Sequence, residues 1–342
     1  MKPGRQSELR SAMRAVRAAA RVCRAVADQL IRPDTLEKRD KSPVTVADFA
    51  SQAVVCSILA ADLPQDRIVG EEDASELREE ANAGLCDAVV RLVAAELDRI
   101  AQGPGRAPAG SFAAIDRERV LAAIDLGGAE ASGERYWTLD PIDGTKGFLR
   151  REQYAIALAL IERGRVELAV LGCPNLPATG GSGALFTAVR GGATRAHRLW
   201  DESDLDGTPV RVAAIASAAE ARFCESVESG HSDQDESAVV ARRLGITTPP
   251  YRMDSQCKYA AVARNDASIY LRLPTQADYQ EKIWDHAAGA LIVECAGGRV
   301  SDVAGKALDF SCGRTLQRNR GVVATCGSIH DEVIAAIGAG TT

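Results

Sequence analysis

The stretch Trp137-Thr138-Leu139-Asp140-Pro141-Ile142-Asp143-Gly144-Thr145 has a strand-like apolar lead, two aspartates separated by Pro141-Ile142, and a glycine ahead of a hydroxyl residue. Pro141 fixes its own φ and has no N–H to donate, so it favours a turn on which the carboxylates of Asp140 and Asp143 converge. Gly144 permits close backbone approach, and the short helix expected from Thr145 and Lys146 opens with free N–H groups able to receive an anion. Carboxylates suited to a hard cation, beside amides suited to phosphate, point to Mg²⁺-assisted phosphate-ester chemistry. An Asp-Pro turn with a capping aspartate would leave the same string, so other acids have to join it. Glu71 follows the strand-like Arg67-Ile68-Val69 and Gly70, as a ligand at a strand end would. Asp48 lies in Ser42-Pro43-Val44-Thr45-Val46-Ala47-Asp48, where Thr45 or Asp48 opens a helix running to about Ala61.

Outward from the acidic string, helical and strand-like patterns alternate without an internal repeat. Ser75 to about Ile100 reads as one helix, Gln102 to Ser111 as a loop, and Ile283 to Cys295 as a helix. The runs Tyr154 to Ile161 and Val166 to Leu171, joined by Arg163-Gly164, read as adjacent buried strands. Ala184 to Val189 and Ala193 to Arg198, joined by Gly191-Gly192, read as a second pair. Val210 to Ile215, Ser268 to Leu273 and Arg299-Val300 are also strand-like. At 342 residues the chain is long enough to split into two domains. The polar segment Asp201 to Thr208 places the division near 205/206, giving units 1–205 and 206–342.

A formal charge of -6 argues against bulk binding of a nucleic-acid polymer, so an anionic ligand must be met by a local basic cluster. No uncharged apolar run reaches the ~18 residues a membrane span needs. The 9 cysteines are scattered and contain no Cys-x-x-Cys pair, which fits a reducing cytoplasm. The arginines from Arg5 to Arg24 have the look of an organellar targeting segment. Ala15, Val16, Ala19, Val22, Cys23 and Val26 nevertheless recur at helical spacing between them, and a first amphipathic helix of the fold is the preferred reading.

The string from Asp140 to Thr145, Gly70-Glu71-Glu72, and Trp284-Asp285-His286-Ala287-Ala288-Gly289 followed by Ala296-Gly297-Gly298 together resemble the signatures of the inositol monophosphatase superfamily. The resemblance implies a layered α/β fold of alternating helix and sheet layers in two domains. Most metal ligands would lie in the first domain and Asp285 in the second. It also implies ligand roles: Glu71, Asp140 and the carbonyl of Ile142 for one Mg²⁺, Asp140, Asp143 and Asp285 for a second, and Glu71 with Asp48 near a weaker third. Thr145, paired with Asp48, would position and deprotonate the attacking water. A helix cap is the plainer role for Asp285. Glu72 and Asp73 are left outside the site, and His286 reads as a packed neighbour rather than a ligand for hard Mg²⁺.

Within the superfamily, Ser229-Gly230-His231-Ser232, Met253-Asp254-Ser255-Gln256-Cys257-Lys258-Tyr259, Ile269-Tyr270-Leu271-Arg272-Leu273-Pro274 and Tyr279-Gln280-Glu281-Lys282-Ile283 resemble the 3′(2′),5′-bisphosphate nucleotidases. Lys146-Gly147-Phe148-Leu149-Arg150 and Gly172-Cys173-Pro174-Asn175-Leu176 match that branch too. The implied substrate is 3′-phosphoadenosine 5′-phosphate, with 3′-phosphoadenylyl sulfate related to it, and lithium is an implied inhibitor. Gly144 and Thr145 would contact the substrate, and His231, Ser255, Lys258 and Arg272 would hold the phosphate that is not cleaved. Plainer roles stand beside these: Ser255 as a cap, Lys258 as a solvated helix residue, Arg272 paired with an acid such as Asp278. Inositol mono- or bisphosphate hydrolysis, and a non-catalytic nucleotide sensor, are the competing functions. Monomer and dimer are both left open.

Overall fold

Residues 155–161 are apolar on both faces because both faces are covered. In the computed structural model, which describes residues 5–29, 42–103, 115–227, 234–274, 276 and 278–339, this segment is an inner strand of a seven-stranded sheet. The first half of the chain runs α1 (Gln6–Gln29), α2 (Ser42–Asp62), β1 (Arg67–Gly70), α3 (Ser75–Arg78), α4 (Ala83–Gln102), α5 (Arg117–Asp125), β2 (Arg135–Asp143) and α6 (Thr145–Arg150). It continues with β3 (Ala155–Glu162), β4 (Arg165–Ala178), β5 (Gly181–Val189), β6 (Arg195–Arg198) and β7 (Thr208–Pro209), and these strands lie in sequence order, only β1 and β2 being parallel. The second half adds β8 (Phe223–Glu225), α7 (Gln234–Arg243), β9 (Tyr251–Arg252), α8 (Cys257–Ala263), β10 (Ile269–Arg272), α9 (Ala287–Cys295), β11 (Arg299–Ser301), β12 (Val322–Thr325) and α10 (His330–Gly338). Its five strands are ordered β11-β12-β10-β8-β9.

The alternation of side chains along β3 sets the layers. Ile156, Leu158 and Leu160 point into a core shared with α1 and α2, while Ala155, Ala157 and Ala159 point the other way, toward α8 and α9. Small residues on that second face let α9 lie close over the sheet. α8 and α9 pack in turn against the second sheet, whose outer face is closed by α7 and α10 around Phe223, Ile269, Leu271 and Val323. The result is the expected α/β fold of alternating layers: helix, sheet, helix, sheet, helix.

The arginine-rich start is α1, with Val16, Ala19, Val22, Cys23 and Val26 buried. Four arginines of this segment are bound into the fold: Arg5, just ahead of α1, to Glu162 (2.5 Å), Arg14 to Asp62 (2.6 Å), Arg21 to Glu96 (2.8 Å), and Arg17 to the Asp204 carbonyl (2.8 Å). Helix α2 is apolar and long enough to cross a bilayer by composition, yet it is packed between α1, α4, α5 and β2, with Ala47, Ala50, Ala53, Val54 and Val55 fully buried.

Four expectations are corrected. α2 begins at Ser42, ahead of Thr45. The helix expected from Ser75 to Ile100 breaks after Arg78, where the Glu76 carbonyl accepts from the Glu79 N–H (3.3 Å) and the Asn82 side chain (3.0 Å), so the helical bond from Glu80 is not made. Val210 to Ile215 is not a strand: Val210 N–H donates to Thr194 (3.0 Å) and Val212 N–H to Ala296 (3.2 Å), so the segment crosses between elements. α9 starts at Ala287 rather than Ile283, because Trp284-Asp285-His286 form a turn. Most of the loop expected from Gln102 to Ser111 lies outside the described residues.

Candidate active site

Two strand ends deliver the first acids. Parallel pairing sets Gly70 of β1 beside Leu139 of β2, so Glu71, the next residue, emerges beside Asp140. On the other edge of β2, Asp140 pairs with Ala157 and Asp143 with Ala155 of β3. Three residues on β2 therefore span two on β3. Residues three apart on a regular strand face opposite sides; the bulge restores both aspartates to one face, the alanine side beneath α8 and α9. The expected Asp-Pro turn is thus a bulged strand, in which Pro141 forgoes a ladder bond and its carbonyl accepts from the Ser51 hydroxyl (2.9 Å). The Ile142 side chain is buried in the opposite core, leaving only its backbone to take part in the site.

Asp285 sits on the turn ahead of α9, and Gln256 ties it to the other acids. The Gln256 backbone N–H donates to Asp143 Oδ2 (2.6 Å), its Nε2 donates to the Trp284 carbonyl (2.9 Å), and its Oε1 accepts from the Gly289 N–H (3.1 Å). Gln52 serves the Glu71 side in the same way. Its Nε2 donates to the carbonyls of Glu72 (2.6 Å) and Ile124 (2.9 Å), and its Oε1 accepts from the Glu72 N–H (3.1 Å). A Cβ on Gly70 would stand 2.4 Å from Gln52 Oε1, so a side chain there would push Gln52 off its bonds to Glu72 and Ile124.

Charge is poorly balanced here. Burial, reinforced by Glu71, Asp143 and Asp285, holds the Asp140 carboxyl well above its ordinary range. Burial and the charges of Glu72 and Glu71 do the same to Asp48 on α2. Burial, with repulsion from Asp285, Glu72 and Asp143, pushes Glu71 up to about 8. Asp285 rises to about 6 because burial outweighs the attraction of Arg272. Asp140 Oδ1 is buried with no hydrogen-bond partner. A buried carboxylate oxygen without a donor, among oxygen ligands only, fits a hard divalent cation.

The sign of the pH dependence follows. Carboxyls whose folded-state pKa is raised bind protons more tightly when folded, so stability falls as pH rises through the interval between unfolded and folded values. For Glu71 that interval runs from 4.5 to about 8, and for Asp285 from 3.8 to about 6. Chelator-treated protein is expected to melt at progressively lower temperature from about pH 5 to pH 8, and added Mg²⁺ to close the gap, as read by thermal denaturation in both conditions. A metal-free melting temperature that does not fall over this range, or that Mg²⁺ leaves unchanged, would count against the cation site.

Beside the acids lies a cavity of about 130 Å³ whose wall includes Asp143, Gly144, Thr145, Ser255, Lys258 and Arg272. Gly144 has φ +89°, and a Cβ there would come within 2.8 Å of Ser255 Cβ. Ser255 is itself left-handed (φ 68°) and lies one residue ahead of Gln256, the N-cap of α8; its hydroxyl accepts from the Cys257 N–H (3.2 Å) while still facing the cavity. Lys258 is not a solvated helix residue. It is buried, its ammonium 3.5 Å from the Met253 carbonyl and 5.2 Å above the Tyr270 ring. Arg272 has acidic partners, Glu281 (2.8 Å) and Asp285 (3.5 Å), in place of Asp278. α6 has only six residues, too short to carry much of a helix dipole. It packs beside α2, yet no hydrogen bond joins Thr145 to Asp48 among the described residues. His231 lies outside the described residues.

Donor atoms of Glu281, Asp285 and His286 also lie within 4.8 Å of one another. That group is an ion network rather than a second metal site, because Arg272 supplies its cation and both His286 nitrogens are engaged, with Tyr259 (2.7 Å) and Glu281 (3.0 Å). His286 is thus a packed residue, as expected. Gln52, Gln256 and Glu281 were missed as site residues. Their signal in the sequence is faint: a polar side chain within the apolar helical run for Gln52, a polar residue just ahead of a helix for Gln256, and a carboxylate four residues before Asp285 for Glu281.

The model of the inositol monophosphatase family matches residues 5–341. A 3′(2′),5′-bisphosphate nucleotidase of Schizosaccharomyces pombe is 44% identical, the match covering 98% of this chain and 96% of that one. One of Emericella nidulans is 43% identical over 89% of this chain and 90% of its own, and one of Oryza sativa is 41% identical over 97% and 93%. Among solved structures, an inositol monophosphatase from Zymomonas mobilis superposes with a TM-score of 0.63 at 18% identity, covering 98% of this chain and all (100%) of that one. One from Anabaena gives 0.60 at 19%, covering 98% and 96%. At that identity the structures speak for the fold alone.

Proposed function

The chain belongs to the inositol monophosphatase family, and from that premise we propose that it is a Mg²⁺-dependent 3′(2′),5′-bisphosphate nucleotidase. Its reaction removes the 3′-phosphate of 3′-phosphoadenosine 5′-phosphate to give AMP and phosphate, with 3′-phosphoadenylyl sulfate as a second substrate. The observation that carries this reading is one cavity wall bearing both chemistries: the carboxylates of Asp143 and Asp285 and the buried ammonium of Lys258. A substrate with two phosphates needs a place for the ester that reacts and a cation for the one that does not.

Glu71, Asp140, Asp143, Asp285 and the Ile142 carbonyl would hold the metal, with Asp48 near a weaker third ion. When bound, such ions lower the pKa of water and neutralise the phosphoryl oxygens. The chain's own groups do the rest. Thr145 and Asp48 orient the water and Asp48 accepts its proton; the water oxygen bonds to phosphorus in line as the P–O3′ bond breaks, and the leaving oxygen takes a proton from solvent as the nucleotide departs. Gly144 and Thr145 border the phosphoryl group, while Ser255, Lys258 and Arg272 address the 5′ side, a role the resemblance also gives His231. A reducing, cytoplasmic setting is part of this reading, taken from the scattered cysteines of the sequence.

A phosphate-release panel tests the assignment: the bisphosphate nucleotide, inositol mono- and 1,4-bisphosphate and fructose 1,6-bisphosphate, each with Mg²⁺, without it, and with Mg²⁺ plus Li⁺. Highest kcat/KM on the bisphosphate nucleotide, lost without Mg²⁺, is the expected result. Preference for an inositol phosphate would reassign the substrate, and tight nucleotide binding without release would make the protein a sensor.

A further inference from the structure

We propose that Glu281 is a positioning residue that holds Arg272 away from Asp285 and so keeps the Asp285 carboxylate available to a cation. The inference rests on the reading of Asp285 as a metal ligand. Arg272 leaves β10 between two carboxylates. Its Nε lies 2.8 Å from Glu281 Oε2, whereas its Nη2 is 3.5 Å from Asp285 Oδ2 and donates to the Tyr279 hydroxyl (3.2 Å). The closer contact is with Glu281, and the guanidinium is shared rather than committed to Asp285. A fully engaged arginine would cancel the negative charge that a metal ligand must offer and repel the incoming ion at short range.

Glu281 is built to keep that hold. It is 3% exposed, and the oxygen that meets Arg272 also meets His286 Nε2 (3.0 Å). His286 Nδ1 lies 2.7 Å from the Tyr259 hydroxyl, so with the phenol donating there, the imidazole carries its proton on Nε2 and donates to Glu281. The Tyr259 ring is fully buried and packed close on the backbone of α9, where a Cβ on Gly289 would come within 2.2 Å of it. The backbone is pinned as well, the Leu316 N–H donating to the Glu281 carbonyl (2.8 Å) and the Ile283 N–H to the Arg314 carbonyl (3.1 Å). Glu281 therefore cannot follow Arg272 toward Asp285. Without its charge, Asp285 is the remaining carboxylate in ion-pair contact with Arg272 among the described residues, and the guanidinium moves onto it.

The test is direct Mn²⁺ binding to metal-free protein, read by electron paramagnetic resonance of the free ion, for wild type, Glu281→Gln, Arg272→Met and the double variant. Glu281→Gln is expected to raise the Mn²⁺ Kd about tenfold, the scale of groups that orient a ligand. Removing the arginine as well should return it to within about threefold of wild type, an effect that general loosening of the site would not produce. Unchanged Kd in Glu281→Gln, or a double variant no tighter than the single, overturns the inference. Should Glu281→Gln not fold, Arg272→Met decides alone: binding at least as tight as wild type supports it, weaker binding overturns it. Wild-type protein that binds no Mn²⁺ overturns the metal reading and this inference together. A metal pattern that holds while the nucleotide is not hydrolysed removes only the nucleotide reading.

Discussion

Asp140→Asn is expected to lower phosphate release by about 10³-fold or more while leaving the metal-free protein folded and at least as stable as wild type. The two effects share one cause. Asp140 is 2% exposed, its Oδ1 has no donor, and Glu71, Asp143, Asp285 and Asp48 all push its proton affinity up. A charge in that position has little reason to exist for folding alone, since uncompensated buried carboxylates destabilise a fold. Asparagine keeps the shape, removes one negative charge and adds a donor that can reach a neighbouring carboxylate. The metal-free variant should therefore lose less stability than wild type as pH rises from 5 to 8. Circular dichroism melts without metal, alongside steady-state kinetics in excess Mg²⁺, measure both halves. Near-wild-type turnover in a folded variant would remove Asp140 from the reaction.

The part of this site that was legible in the sequence is the part carried by contiguous chain. Glu71 after a strand and a glycine, and Asp140 and Asp143 in one string, could be read because local spacing predicts which residues emerge together. The route to convergence could not. Pro141 suggested a turn, whereas the chain stays in β2 and gains one residue against β3, a register feature visible only once Ala155 and Ala157 are seen as the partners. The layers were readable from apolar runs such as Tyr154 to Ile161. The starts of α2 and α9 were not, because helix boundaries depend on which backbone groups find partners elsewhere.

Groups that act through tertiary contacts were the least readable. Gln256 joins Asp143, Trp284 and Gly289, which lie 113, 28 and 33 residues away. Arg272 and Glu281 meet across a strand end and a turn. For Arg272 the sequence admitted both a ligand role and an ion pair, and the structure gives it the ion pair while leaving it on the cavity wall. For Lys258 it admitted a solvated position, which the structure removes. A lysine at the second position of a helix carries no signal of burial until the neighbouring sheet is known.

Lys258→Met is the corresponding test of the substrate. Lys258 is 4% exposed, and among the described residues its ammonium has no carboxylate within 4.0 Å and is held by a carbonyl at 3.5 Å and the face of Tyr270. Burial lowers its proton affinity, and the charge of Asp143 offsets that only in part. A buried cation so weakly partnered, lining a cavity next to an acidic centre, is arranged for an anion that arrives with the substrate. Methionine retains the length and apolar stem but not the charge. A charge-assisted hydrogen bond is worth roughly 1.5–3 kcal/mol, so KM for 3′-phosphoadenosine 5′-phosphate is expected to rise about 10- to 100-fold. A small monoester lacking a second phosphate should be hydrolysed with little change in KM, and the metal-free variant should melt no lower than wild type. Steady-state kinetics on both substrates separate the outcomes. An equal rise on both would mean that Lys258 serves the reacting phosphate, and no rise on either would take the 5′-phosphate away from this wall of the cavity.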